Sequence, residues 1–183
     1  MLAAEAKLAN ADFFANELQP HRARLVENAL SAVAPDLKVS VGDGVEFCEA
    51  RPEFFDRIML DAPCTGLGAL RRRPEARWRK SSSDVADLSK LQEQLLAAAF
   101  KALKPGGILA YVTCSPHQAE TNAIIDWGQK KLGAQFELLD ATAVLKSINP
   151  DLQINTGRKT VQLWPHINRT DAMYVALITK KGK

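Results

Sequence analysis

One cysteine follows a predicted strand at the point where that strand has to end. The stretch Ile58 to Gly68 (IMLDAPCTGLG) opens with a short apolar run, which is typical of the end of a buried parallel strand. Proline cannot continue a central strand, so Pro63 requires the strand to stop near Asp61. We therefore expect Asp61 and Cys64 at the carboxyl end of the strand, where ligands bind in open α/β sheets.

A second cysteine occupies an equivalent position. Pro105, Gly106 and Gly107 open another strand, Ile108 to Val112 continue it, and Cys114 follows its end. Each cysteine alone is explained as a small buried hydrophobic residue, which is the usual state of a free cysteine. Two cysteines at strand ends on one sheet edge favour chemistry instead, because thiolates are protein nucleophiles.

Other uses of the cysteines are less well supported. His117 lies three residues after Cys114 and suggests a Cys/His hydrolase, but a histidine at a helix start is more often a surface residue. Apart from His117, neither Cys64 nor Cys114 has a second Cys or His at the spacing of paired ligands, so we expect no metal site. Cys48 lies in a predicted helix, and we expect it to be structural.

An acidic residue ends each of three predicted strands. Glu17, Asp43 and Asp61 all fit a plan of strand, acidic residue and helix, which indicates a doubly wound, mostly parallel α/β sheet. Any one of these carboxylates is explained as a solvated strand end. Because ionised carboxylates only accept hydrogen bonds, three on one edge favour a ligand rich in hydroxyl and amino donors.

The remaining elements follow from apolar spacing and from Pro, Gly and capping residues. We expect Ser81 to Ser83 to cap the longest helix, and Thr142 to Thr160 to form a loop with short helical turns. The predicted helices are Met1–Leu8, Pro20–Val33, Asp84–Leu103 and Gln118–Leu132, and the further predicted strands are Asp12–Leu18, Lys38–Val41, Phe136–Leu139 and Met173–Ile178.

An arginine-rich stretch lies between the two cysteine strands. It contains Trp78 and one acidic residue, Glu75, and its arginines are Arg71, Arg72, Arg73, Arg77 and Arg79. Most charge runs are solvated loops. Beside a suspected catalytic edge, arginines with an aromatic residue are better explained as contacts to a nucleic-acid backbone.

Length and composition set the class of protein. With 183 residues and 46% hydrophobic content, the sequence predicts one α/β domain over 1–183, or slightly less than a complete one. No run approaches the roughly 18 apolar residues of a membrane span. Three cysteines without a pairing pattern, and the lack of a leader, predict a reducing cytoplasm. The net charge of +3 does not by itself indicate nucleic-acid binding.

Three motifs in order resemble one known family. DAPCTGLG begins at Asp61, YVTCS ends at Ser115, and LWPHINRTDAMYVALI ends at Ile178. Together they resemble the RsmB/Sun (Fmu) family of RNA cytosine-C5 methyltransferases over essentially the whole chain. The resemblance implies a Rossmann-like methyltransferase sandwich, S-adenosylmethionine as cofactor and RNA as substrate, with ribosomal RNA the expected target.

The chemistry of that family explains why two cysteines are present. A thiolate added to carbon 6 of cytosine activates carbon 5 to attack a sulfonium methyl group, so one hard step is divided into two. The resemblance implies that Cys114 is the nucleophile and that Cys64 assists product release. It also implies that Asp61 bonds the cytosine amino edge or ring nitrogen and lies near the cofactor, that Glu17 holds the ribose hydroxyls of S-adenosylmethionine, and that Asp43 holds its adenine amino group.

The sequence departs from the family in two places. TCSPHQAET differs after Cys114, and we expect this to change a helix start and not the nucleophile. The glycine-rich cofactor loop that would precede the helix at Met1 to Leu8 is not found. We therefore expect an N-terminally incomplete, inactive domain that lacks its first strand, binds S-adenosylmethionine weakly or not at all and self-associates through an exposed sheet edge. The alternative is a non-catalytic RNA-binding remnant of the fold.

Overall fold

The computed structural model describes residues 1–35, 37–154 and 157–182. These residues fall into two compact units, Met1–Ala50 and Arg51–Lys183. The two cysteines of interest belong to the second unit, whereas Glu17 and Asp43 belong to the first.

The first unit contains three helices and a two-stranded sheet, in the order α1 (Leu2–Leu8), β1 (Asn16–Glu17), α2 (Pro20–Leu30), β2 (Ser40–Val41) and α3 (Gly44–Glu49). β1 and β2 are parallel, with Glu17 opposite Val41. Both strands are shorter than predicted, because only these residues form the ladder. Pro20 begins α2 as expected, but the helix ends at Leu30, whose carbonyl accepts turn hydrogen bonds from the amides of Val33 and Ala34 at 2.9 and 2.8 Å.

The second unit contains the larger sheet. Its elements are β3 (Phe55–Asp61), α4 (Ala76–Arg79), α5 (Ser82–Ala102), β4 (Leu103–Thr113), α6 (Asn122–Leu132), β5 (Phe136–Leu139), α7 (Ala141–Ile148), β6 (Val161–Gln162), α8 (Pro165–Asn168) and β7 (Tyr174–Lys180). Short 3-10 turns cover Leu67–Ala69, Gln118–Glu120 and Gly133–Gln135.

The second unit confirms the predicted α/β class, and its sheet is mixed: among the described residues one of the four strand pairings is parallel and three are antiparallel. The strand order is β3-β4-β7-β5, and β6 also pairs with β7. β3 is parallel to β4, whereas β4, β5 and β6 all run antiparallel to β7. Four of the five strands therefore point the same way, and β7 alone is reversed. β3 forms one edge of this sheet, and self-association through it stays a prediction.

The core of the second unit lies over the two central strands, β4 and β7. Leu109, Tyr111, Ala176 and Ile178 are all buried. α5 and α6 pack against each other, and Gly128 of α6 leaves room for its neighbours: a Cβ there would lie about 3 Å from the Phe136 ring. This packing fixes β4, and hence the position of the residues that follow it.

Several boundaries differ from the predictions for physical reasons. β4 starts at Leu103, so Pro105 lies inside the strand, at an irregularity of the β3–β4 register that tolerates the missing amide donor. The predicted loop after Thr142 begins with the helix α7, and its residues Asn155 and Thr156 lie outside the described part of the chain. Ser81 caps α5, as expected, and it does so through a capping box with Asp84, so the helix begins at Ser82 and not at Asp84. No described helix has the length and apolarity needed to cross a membrane.

Candidate active site

The ends of β3 and β4 bring two thiols together. The strands are adjacent and parallel, with Asp61, the last residue of β3, opposite Val112 near the end of β4. Cys64 and Cys114 follow these ends, and their sulfur atoms lie 3.4 Å apart. That separation is a thiol hydrogen bond and not a disulfide. Both side chains are half-buried, so a substrate atom can reach them.

A glycine lets the segment that follows β3 and contains Cys64 approach the segment that follows β4 and contains Cys114. We call these two segments the cysteine loops. The Gly68 amide donates to the Cys114 carbonyl at 2.9 Å, and the Gly68 carbonyl accepts from the Ala172 amide at 2.9 Å. A Cβ on residue 68 would lie 2.7 Å from the Cys114 carbonyl oxygen, which is closer than real Cβ contacts allow. Gly66, with φ of +73°, makes the turn that precedes this contact. The glycines of the CTGLG stretch thus serve the packing of the cysteine loops.

The two thiols differ in acidity. The hydrogen bond with Cys64 lowers the pKa of Cys114 to about 7, although partial burial and the negative charges of Asp61 and Asp171 oppose this change. The same hydrogen bond, together with burial, raises the pKa of Cys64. We therefore assign Cys64 as the donor and Cys114 as the acceptor. Near neutral pH, Cys114 carries the thiolate that a nucleophile needs.

A buried carboxylate that the sequence analysis did not single out lies under the cysteine loops. Glu120 is fully buried, and its carboxylate accepts hydrogen bonds from Thr65 and Ser115, the residues that directly follow the two cysteines. We expected the stretch around Glu120 only to change a helix start. The available signal was an acidic residue six positions after a candidate nucleophile, which is ambiguous without knowledge of its burial.

Glu17 and Asp43 have local roles in the first unit. One Glu17 oxygen accepts from the Gln19 amide at 3.0 Å, and the other lies 3.5 Å from Arg22 Nε. Asp43 caps α3 by accepting from the Val45 amide at 2.6 Å. Glu17 is the last residue of β1 and Asp43 follows the end of β2, so both lie at strand ends as predicted, and their local hydrogen bonds fix their orientation.

The arginine-rich stretch is exposed, and one of its arginines is already engaged. Arg72 makes a two-pronged ion pair with Asp171, which precedes β7. The other four arginines predicted to contact RNA, Arg71, Arg73, Arg77 and Arg79, are exposed. The Trp78 side chain, on α4 between two of them, is 84% exposed, which leaves its ring open to stack on a base.

The known proteins that this chain resembles include RNA methyltransferases. The family model described as 16S rRNA methyltransferase RsmB/F matches residues 2–179. The chain is 42% identical over 165 residues to the putative methyltransferase Rv1407 of Mycobacterium tuberculosis, and the match covers 90% of this chain and 34% of that protein. It is 36% identical over 174 residues to the tRNA (cytosine(49)-C(5))-methyltransferase of Pyrococcus abyssi, covering 91% of this chain and 55% of that protein.

Solved structures share the fold of this chain. The crystal structure of PH0851 superimposes with a TM-score of 0.82 and 27% identity, over 93% of this chain and 37% of that one. A methyltransferase homologue of Pyrococcus horikoshii superimposes with a TM-score of 0.71 and 26% identity, over 94% of this chain and 54% of that one, so the fold is the Rossmann-like α/β methyltransferase fold. The chain belongs to the RsmB/F family of 16S rRNA methyltransferases. It spans about a third of the length of the Mycobacterium tuberculosis relative and just over half of the length of the Pyrococcus abyssi relative.

Proposed function

We propose that this chain carries the two-cysteine centre of an RNA cytosine-C5 methyltransferase that uses S-adenosylmethionine. The observation that carries the proposal is the 3.4 Å contact between the Cys64 and Cys114 sulfur atoms at the ends of two adjacent strands. Family membership and the cytosine-C5 activity in the name of the Pyrococcus abyssi relative support it. Ribosomal RNA is the substrate that we propose first, because the family description names it.

The two thiols suit different steps of this reaction. The Cys114 thiolate adds to carbon 6 of cytosine, which makes carbon 5 nucleophilic. After carbon 5 has been methylated, a base takes its proton, the electron pair of the C–H bond forms the carbon 5–carbon 6 double bond, and the Cys114 thiolate leaves carbon 6. Cys64 lies within hydrogen-bonding distance of that sulfur and assists the release. Asp61 ends β3 next to this pair, and we propose that its carboxylate accepts from the cytosine amino group.

The carboxylates of the first unit have the chemistry that S-adenosylmethionine requires. Ribose hydroxyls and the adenine amino group are donors, and Glu17 and Asp43 present acceptors after adjacent strand ends. We propose that Glu17 holds the ribose and that Asp43 holds the adenine. When bound, the cofactor supplies the electrophilic methyl group.

The arginine-rich stretch is the proposed contact to the RNA backbone. Arg71, Arg73, Arg77 and Arg79 are exposed cations, and they attract phosphates without regard to sequence. Trp78 adds an aromatic face on which an unpaired base can stack. A target cytosine inside a duplex has to be flipped out at a cost of a few kcal/mol. We therefore expect loop or single-stranded RNA to bind better than duplex RNA.

Substitution of single cysteines tests the assigned roles. In an intact version of the protein, Cys64→Ala keeps the addition step but impairs release, so a covalent RNA adduct should accumulate and shift the band on a denaturing gel. Cys114→Ala should form no adduct, and Cys48→Ala, the matched control, should behave as the parent. An adduct that persists in Cys114→Ala would contradict the assignment. RNA binding without any S-adenosylmethionine affinity in calorimetry would favour the alternative function, a non-catalytic RNA-binding module.

A further inference from the structure

Glu120 connects the two cysteine loops beneath the thiols. Its Oε1 accepts from the Thr65 amide at 2.7 Å, and its Oε2 accepts from the Thr65 hydroxyl at 2.6 Å and from the Ser115 hydroxyl at 2.6 Å. Thr65 directly follows Cys64, and Ser115 directly follows Cys114. One carboxylate thus makes hydrogen bonds to both of the residues that directly follow the two cysteines.

Further hydrogen bonds hold Glu120 and the Cys64 loop to β4 and α5. The buried Tyr111 hydroxyl donates to the Glu120 carbonyl at 2.9 Å, and the Glu120 amide donates to the His117 carbonyl at 3.0 Å. Gln92, buried on α5, donates to the Pro63 carbonyl at 2.7 Å and lies 3.5 Å from Glu120 Oε1. Tyr111 thus anchors the Glu120 backbone to β4, and Gln92 ties the Cys64 loop to α5 beside the carboxylate.

Such a group is difficult to explain by stability alone. Burying a carboxylate is costly unless hydrogen bonds compensate for the lost water, and well-packed apolar residues often replace buried charges without loss of stability. Within the described part of the chain, Glu120 has neutral donors as partners and no ion pair. The arrangement instead fixes the distance between the two cysteine loops, because one carboxylate makes short hydrogen bonds to both of them.

We propose that Glu120 is a positioning residue that holds the Cys64 and Cys114 loops at a fixed separation and so keeps the two thiols at hydrogen-bonding distance. The proposal deepens the proposed function, since it rests on the two thiols being its catalytic pair. Glu120 lies under the loops and acts through them, and it has no contact with the reacting atoms in this role.

The test is a double-mutant cycle on the acidity of Cys114. Iodoacetamide alkylation of Cys114 is followed against pH by peptide mass spectrometry in the parent chain, in Cys64→Ala, in Glu120→Gln and in the double variant. The parent midpoint is expected at about 7. If the Cys64 hydrogen bond is lost, the midpoint should rise towards the ordinary thiol value of about 8.5. At fixed pH below both midpoints, a rise of one unit means a tenfold smaller thiolate fraction.

The sign of the change separates positioning from a simple charge effect. Glu120→Gln should raise the midpoint as Cys64→Ala does, and the double variant should show no further rise. Removing a nearby negative charge would by itself lower the pKa of Cys114, so a lowered or unchanged midpoint overturns the proposal. Additive shifts in the double variant overturn it as well. Asp61, Asp171 and Arg72, the other charges that act on this thiol, are identical in all four proteins.

Two further variants separate a positioning effect on Cys114 from a general effect of the substitution and from a failure to fold. Glu137→Gln makes the same chemical change on β5, outside the network, and should leave the midpoint unchanged. If Glu120→Gln does not fold, Ser115→Ala removes one of the bonds to Glu120 and should raise the midpoint in the same direction; an unchanged midpoint overturns the proposal. Alkylation needs neither RNA nor cofactor, so a cycle with the expected result, together with no RNA adduct in Cys64→Ala of an intact version of the protein, would reject the proposed function and retain the positioning role.

Discussion

The thiol pair and the two carboxylates of the first unit are held in different ways. Cys64 and Cys114 are 50 residues apart in sequence, and Thr65 and Glu120 are 55 apart, yet hydrogen bonds join both pairs. Asp43 instead bonds Val45 and Glu17 bonds Gln19, each only two residues away. The geometry of the thiols therefore depends on the packed sheet, whereas the carboxylates are oriented by the chain next to them. Substitutions should separate these two kinds of support.

Gly68→Ala should have the largest effect, because the added Cβ would collide with backbone atoms that have no side-chain freedom to move. We expect a loss of about 3 kcal/mol in the free energy of unfolding, the upper end of typical overpacking costs. The Cys114 alkylation midpoint should also rise as the loops separate. Gly182→Ala is the matched control, since a Cβ there meets no atom within 4 Å. Parental stability and midpoint in Gly68→Ala would show that the loops do not need this contact.

Thr65→Val should have the next largest effect on stability. It removes the hydroxyl that donates to Glu120 while keeping the shape of the side chain and the amide bond. Leaving a buried carboxylate one donor short is expected to cost about 1 to 3 kcal/mol, measured by urea unfolding. Thr179→Val removes a half-buried hydroxyl that donates to the Gly107 carbonyl, and it should cost less. If both variants lose the same free energy of unfolding, the hydrogen bond to Glu120 contributes no more to stability than an ordinary half-buried one.

Asp43→Ala tests the locally supported carboxylate. Loss of the α3 cap should destabilise the protein by about 1 kcal/mol and leave the Cys114 midpoint unchanged. Asp12→Ala, an exposed acidic residue before β1, serves as the comparison and should have a smaller effect on thermal unfolding. A shifted Cys114 midpoint in Asp43→Ala would end the distinction between local and long-range support.

Substitutions in the arginine-rich stretch are expected to have the smallest effect. This stretch contains both an arginine held by a distant residue, Arg72, and an arginine that is exposed, Arg77. Arg77→Ala should reduce the slope of log RNA affinity against log salt by about 0.7, the value for one lost contact to a single strand. Arg72→Ala should change the slope less, because Arg72 is already paired with Asp171, 99 residues away. Fluorescence anisotropy over a salt series measures both slopes. If they change equally, the ion pair opens when RNA binds.

The local elements around the site could be predicted from the sequence because their signals are local. The strand stop near Asp61 follows from Pro63, the start of α2 from Pro20, and the start of α5 from the Ser81 capping box. The fold class follows from the alternation of strands and helices. Family membership follows from short motifs that contain the cysteines.

Long-range packing decided the rest. The order of residues indicates that Cys64 and Cys114 share a sheet edge, but their 3.4 Å separation depends on Gly68 and Glu120. An acidic residue in a turn is normally solvated, and only the surrounding core shows that Glu120 is buried. The placement of β7 between β4 and β5, with the opposite direction, likewise depends on contacts far apart in the chain. The sequence alone determines which chemical groups are available, and tertiary packing determines which of them meet, because burial and separation are properties of the folded chain.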